Sequence, residues 1–157
     1  MKVINALVAL SILFLIIACG RPGGNATVPQ AQPASASDID IGDHIVHFSA
    51  QSTDQLPPDV ARAYGIVRSK NRAMLNVSVI KEGTTIAVPA DITVRTVNLA
   101  GQLKNVTMRK IEEQEAIYYI GETAVANHET LVFNISITPE GATVASDVRF
   151  TREFYTK

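Results

Sequence analysis

The stretch ETLVFNISITPEG, residues 129–141, decides the fold class. Leu131, Phe133, Ile135 and Ile137 alternate with Val132, Asn134 and Ser136, and a period of two places the first set on one side of an extended strand. Ala73, Leu75, Val77 and Val79 alternate in the same way with Met74, Asn76 and Ser78, and Val144, Val148, Phe150 and Phe154 repeat at even spacing. Ile45–Phe48, Ile92–Leu99, Val106–Ile111 and Ala116–Glu122 are four further candidates. Glu82-Gly83, Ala100-Gly101 and Glu140-Gly141 supply residues that tolerate positive φ, so hairpin turns are expected there. One brief helix is expected at Pro57–Gly65, with proline in its first turn and glycine just beyond its end. Seven short strands and one short helix predict an all-β, antiparallel, immunoglobulin-like β-sandwich, because each half-apolar sheet needs a second one to cover it.

Composition narrows the field. The chain has 157 residues, 46% hydrophobic and 18% charged, which argues against wholesale disorder. Its 14 Lys+Arg against 15 Asp+Glu give a formal charge of −1, so there is no basic excess for binding nucleic acid. A single cysteine cannot form an internal disulfide or a cysteine-based zinc site. With no tryptophan either, the antibody-type core is excluded, though the sandwich is not.

The N-terminus reads as an address. Val3–Ala18 carries no charge and follows Lys2. As a helix it would reach about 24 Å, short of the roughly 30 Å hydrocarbon core. A signal peptide over residues 1–18 fits better, with Leu7–Leu15 as its apolar centre and cleavage between Ala18 and Cys19. Leu15-Ile-Ile-Ala-Cys-Gly20 resembles the lipobox of bacterial lipoproteins, in which the cysteine sulfur receives diacylglycerol and the new amino group is acylated. That resemblance implies lipidation of Cys19, and Gly20 in place of an aspartate implies the outer membrane, facing the periplasm. The competing readings are an ordinary secretory signal cut after Ala34-Ser35-Ala36, and a retained membrane helix. More than one acyl chain gives stable anchoring. Residues 19–37 follow as a Gly/Pro/Ala/Ser/Gln-rich tether of roughly 25 Å root-mean-square span. The folded domain is expected at 38–157, and loss of Lys2 makes the exported part slightly more acidic than the whole chain.

The segments ARAYGIVRSKNRAMLNVSV (61–79), AIYYIGE (116–122), ETLVFNISITPEG (129–141) and FTREFY (150–155) resemble the bacterial family called domain of unknown function 4426, with coverage from about Gly42 to Tyr155. The resemblance implies a small exported bacterial protein and brings no catalytic residues with it.

Candidate sites are sparse. Arg68, Lys70 and Arg72 recur every second residue, which on a strand would set three positive charges on one face, near Arg62 and Tyr64. An anionic partner could dock there; the plainer reading is a solvated strand edge kept from aggregating by its charge. Tyr118 and Tyr119 should face opposite sides, so that one is core and the other an exposed aromatic suited to a partner or sugar ring; the plainer reading is core plus cap. Asn71 and Asn76 flank the basic segment, where turn or backbone satisfaction is the commoner role. His44 and His47, three apart, cannot converge on one metal from a strand, and His128 lacks an evident nucleophile to serve. Asp38, Asp40 and Asp43 match a calcium loop only loosely, since Ser49 stands where the bidentate glutamate belongs. The sequons at Asn25, Asn76, Asn105 and Asn134 would stay bare in a bacterial export pathway. No nucleophile elbow, zinc-protease, phosphate-loop or dinucleotide motif occurs. The expected role is a non-enzymatic envelope interaction or adaptor domain with no cofactor, whose partner is an unidentified envelope protein. The alternative is a module that binds a small anion, peptide or glycan, in a concavity between the sheets or near Tyr64 and Arg68.

Overall fold

The computed structural model describes residues 38–157; the signal segment, Cys19 and the tether lie outside them. Nine strands form two antiparallel sheets. β1 (Asp38–Asp40), β2 (His44–Ser52), β3 (Arg72–Lys81), β7 (Ala116–Ala124) and β6 (Arg109–Glu113) lie side by side in that order in one sheet. β5 (Leu103–Lys104), β4 (Ala90–Asn98), β8 (Glu129–Pro139) and β9 (Ser146–Phe154) make the other. The expected all-β sandwich is therefore present, with corrections to its inventory. β1 and β5 join the seven anticipated strands, and β6 begins at Arg109 rather than Val106. Val144 is 76% exposed and lies ahead of β9. The expected turn glycines Gly83, Gly101 and Gly141 have φ of 69°, 78° and 86°. The short helix α1 (Pro58–Ala63) carries proline at its start and ends before Gly65, φ 64°.

The core lies between the sheets. Val46 and Phe48 of β2, Leu75, Val77 and Val79 of β3, and Tyr119 of β7 meet Leu131, Phe133, Ile135 and Ile137 of β8 and Val148 of β9. Three rings join the layers: Phe48 packs on Phe150 at 4.8 Å between centroids, and Phe150 stacks on its cross-strand neighbour Phe133 at 4.9 Å and 15°. Gly121 serves the connection between sheets. It sits opposite Leu75 on the inner face, and a Cβ there would stand 2.5 Å from Val106 Cγ1 and 2.6 Å from Met108 Sδ. A bare Cα on β7 lets the chain cross from β5 to β6.

A second apolar cluster covers the outer face of the five-stranded sheet. Leu56, Ala61 and Ile66 pack on Met74 and Ile120, flanked by Tyr64, Ile111 and Tyr118. The segment from the end of β2 to the start of β3 is thus a lid of apolar residues on an otherwise polar-reading face. Thr53 holds it down. Fully buried, its hydroxyl donates toward the carbonyls of Val67 (2.8 Å) and Ser69 (3.1 Å) and accepts the Ser69 N–H (2.9 Å). These bonds occupy backbone groups that a sheet neighbour would otherwise pair. The expectation of Arg68, Lys70 and Arg72 on one strand is accordingly corrected: only Arg72 is in a strand, while Arg68 and Lys70 lie in the loop and turn before it.

Candidate functional site

The predicted surface residues are divided by the fold. Arg62, Tyr64, Arg68, Lys70, Arg72 and Tyr118 belong to the lidded outer side, whereas Tyr119 points into the sandwich. The pair follows the plainer reading of core plus cap, and only the exposed-aromatic reading is corrected: Tyr119 is buried in the core, and Tyr118 is half-buried against the lid. Several of the positive charges are also occupied. Arg62 pairs with Asp59 at 3.3 Å, Arg72 with Glu122 at 3.4 Å, and the Arg68 guanidinium donates to the Asp54 carbonyl at 2.6 Å. β6 latches the lid through two residues that the sequence reading missed. Arg109 donates to the Tyr64 carbonyl at 2.6 Å, and Glu113, hydrogen-bonded to the Tyr64 phenol, raises that phenol above its ordinary pKa. Their signal was the alternation Arg109, Ile111, Glu113, whose outward face borders the lid.

Tyr119 instead lines an open cleft of about 600 Å³ between the sheets, with Asp91 and Ile92 of β4, Met108, Lys110 of β6 and Glu140 beyond β8. Its phenol oxygen accepts the Ala90 N–H at 2.8 Å, tying β7 to β4 across the sandwich. Lys110 donates a hydrogen bond to the Glu112 carboxylate, which raises the lysine's pKa against the opposing effect of desolvation. The remaining candidates do local work. Asp40 accepts the Gly42 N–H at 2.7 Å, and the Asn71 carbonyl accepts the Val125 N–H at 2.9 Å. His128, at φ 58°, lies edge-on to Tyr155 and 3.3 Å from Glu153. His44 is half-buried and His47 exposed, and among the described residues no three His, Cys, Asp or Glu side chains gather in a metal-binding group.

At the opposite end, where β4, β7 and β9 finish, a polar knot fixes the connections. Glu129 accepts from Lys104 at 2.7 Å, from Asn98 at 2.9 Å and from the Ala126 N–H at 2.8 Å. Burial alone would raise its pKa, but these three donors outweigh desolvation and hold it below the ordinary carboxylate value. With the folded-state pKa below the unfolded one, the unfolded chain binds the extra proton first as pH falls, so this contribution is present at neutral pH and is lost through the folded pKa. Glu129→Gln should cost about 2 kcal/mol at pH 7. The difference from wild type should shrink from about pH 4.5 downward in urea unfolding series; an unchanging difference to pH 3 would contradict it. Around this knot stand exposed apolar side chains that the sequence reading did not single out: Leu99 (75% exposed) and Leu103 (67%) on the β4–β5 hairpin, with Tyr155 (56%) beyond β9.

Comparisons with known proteins agree with this architecture. A DUF4426 family protein from Pseudomonas aeruginosa PAO1 is similar at 31% identity and a TM-score of 0.66, covering 76% of this chain and 94% of that one. FetP of uropathogenic Escherichia coli strain F11, recombinantly expressed in the periplasm, matches at 12% identity and a TM-score of 0.54, over 76% and 93% of the two chains. A copper-bound FetP variant matches at 13% and 0.54, over 76% and 95%. These two likenesses are of fold. No curated protein matches by sequence. The model of the family described as "Domain of unknown function (DUF4426)" matches residues 38–157, the whole of the sandwich. The chain belongs to the DUF4426 family.

Proposed function

We propose that this chain is a bacterial envelope lipoprotein, moored through acyl chains on Cys19 to the outer membrane on its periplasmic side. Its sandwich is a non-enzymatic interaction module that docks on another envelope protein. The observation that carries the docking role is the set of solvent-facing apolar residues, Leu99, Leu103 and Tyr155, set around the rigid Glu129 knot at one end. Apolar side chains grouped in water favour a protein partner over a charged polymer. The basic segment has become the weaker candidate, since Arg62 and Arg72 spend their charge on neighbouring carboxylates.

The test is crosslinking in intact cells. One recurrent partner should be captured, and Leu99→Asp with Leu103→Asp should reduce its capture at least tenfold while the thermal midpoint stays close to wild type, both side chains being already in water. Undiminished capture by the double variant would reject the docking surface. Cys19→Ala should abolish acyl labelling and release the protein from membranes; persistent labelling would reject the anchor. A second reading, a small ligand in the cleft, draws on Tyr119: with its oxygen accepting from Ala90, its own proton is available to a ligand beside Lys110.

A further inference from the structure

β9 is a nine-residue strand at the edge of its sheet, paired with β8 on one side only. Its outer side therefore carries a row of main-chain donors and acceptors with no sheet neighbour. We infer that β9 pairs with β9 of a second copy of this chain, antiparallel and centred on Thr151, joining two four-stranded sheets into one continuous sheet.

The register follows from parity and charge. Alternate residues of an edge strand point their N–H and C=O outward, so a symmetric antiparallel pair must set residues of like parity opposite each other, and the two-fold axis must pass through a residue. Centred on Arg149 or Arg152, the pair would place an arginine against its own copy. Centred on Phe150, it would place Asp147 against Glu153. Centred on Val148, it would match Asp147 with Arg149 but leave out the strand beyond Phe150. Centred on Thr151, it sets Arg149 opposite Glu153 twice and Thr151 opposite Thr151, while Asp147 falls opposite Tyr155 and the whole length from Val148 to Phe154 is paired. Opposite charges and paired threonines are favourable cross-strand neighbours, and like charges are unfavourable.

Arg149 is exposed and, among the described residues, has no ion pair within its own chain. Glu153 meets His128 Nδ1 at 3.3 Å through Oε1 and also holds the Tyr155 phenol, both solvent-exposed contacts weaker than the two-pronged bond that a guanidinium offers a carboxylate. The dimer uses a sheet edge and shares only Tyr155 with the docking end; Leu99 and Leu103 lie outside it, so Leu99→Asp with Leu103→Asp should leave the β9 pairing intact while Arg149→Glu should leave the docking residues untouched.

The experiment uses the full chain in intact cells under mild oxidation. Directly opposed residues of an antiparallel pair have Cα atoms about 4.5–5.5 Å apart, within disulfide reach. Thr151→Cys should therefore yield a covalent homodimer at least tenfold above both wild type, which carries Cys19 alone, and Thr93→Cys, an exposed position on β4. Adding Arg149→Glu should return the yield to that background, and adding Glu153→Arg to the Arg149→Glu chain should restore it, because the swapped charges again face each other. Background yield from Thr151→Cys, or a yield indifferent to the charge reversal, overturns the proposal.

Discussion

Phe133→Ala is expected to remove about 4 kcal/mol of stability. The ring is 1% exposed on the inner face of β8 and stacks on Phe150, which in turn packs on Phe48 of the facing sheet. Truncation therefore opens a cavity and also strips the middle ring of its stacking partner, so the layer-to-layer contact loosens as well as the strand-to-strand one. Against a typical total of roughly 5–15 kcal/mol this is a large share. Urea unfolding should show a fall in midpoint with little change in slope, since the surface exposed on unfolding is nearly the same. A midpoint close to wild type would mean that the sheets close over the gap.

Gly121→Ala is expected to cost about 3 kcal/mol for the opposite reason. The added methyl group meets Val106 at 2.5 Å and Met108 at 2.6 Å, and the Thr107 carbonyl at 3.3 Å blocks retreat. The methionine is flexible and can swing aside; the valine is stiff and sits on the segment that crosses from β5 to β6. Val106→Ala should accordingly relieve much of the damage, so that the double variant is more stable than the sum of the single effects predicts. Simple additivity would show that backbone constraints on β7, and not the crossing segment, set the cost.

The long strands were legible because both sheets bury one face, and Leu131–Ile137 and Ala73–Val79 display that face as clean alternation. The lid was not legible. Met74 occupies a position that reads as solvent-facing, and only the tertiary fold shows Leu56, Ala61 and Ile66 covering it. The basic repeat misled for a related reason: even spacing is necessary for a one-faced stripe but does not make a strand, and at Val67–Ser69 a side chain distant in sequence, Thr53, takes up the backbone bonds. Tyr118 and Tyr119 fall on opposite faces as cap and core, but that the cap lies beneath a segment from between β2 and β3 is a circumstance that no local pattern announces. The Glu129 knot unites β5, β4 and the β7–β8 turn through residues whose separation in sequence hides their convergence.

β1 is held to the sheet by only three residue pairs, Asp38 with His47, Ile39 with Val46 and Asp40 with Ile45, and none of its own residues is buried. Any tension arriving from the N-terminal side loads those pairs before it reaches β2. The domain thus carries a mechanical fuse: a tug strips one short ribbon away first, and lets it re-zip, before load reaches the layered interior.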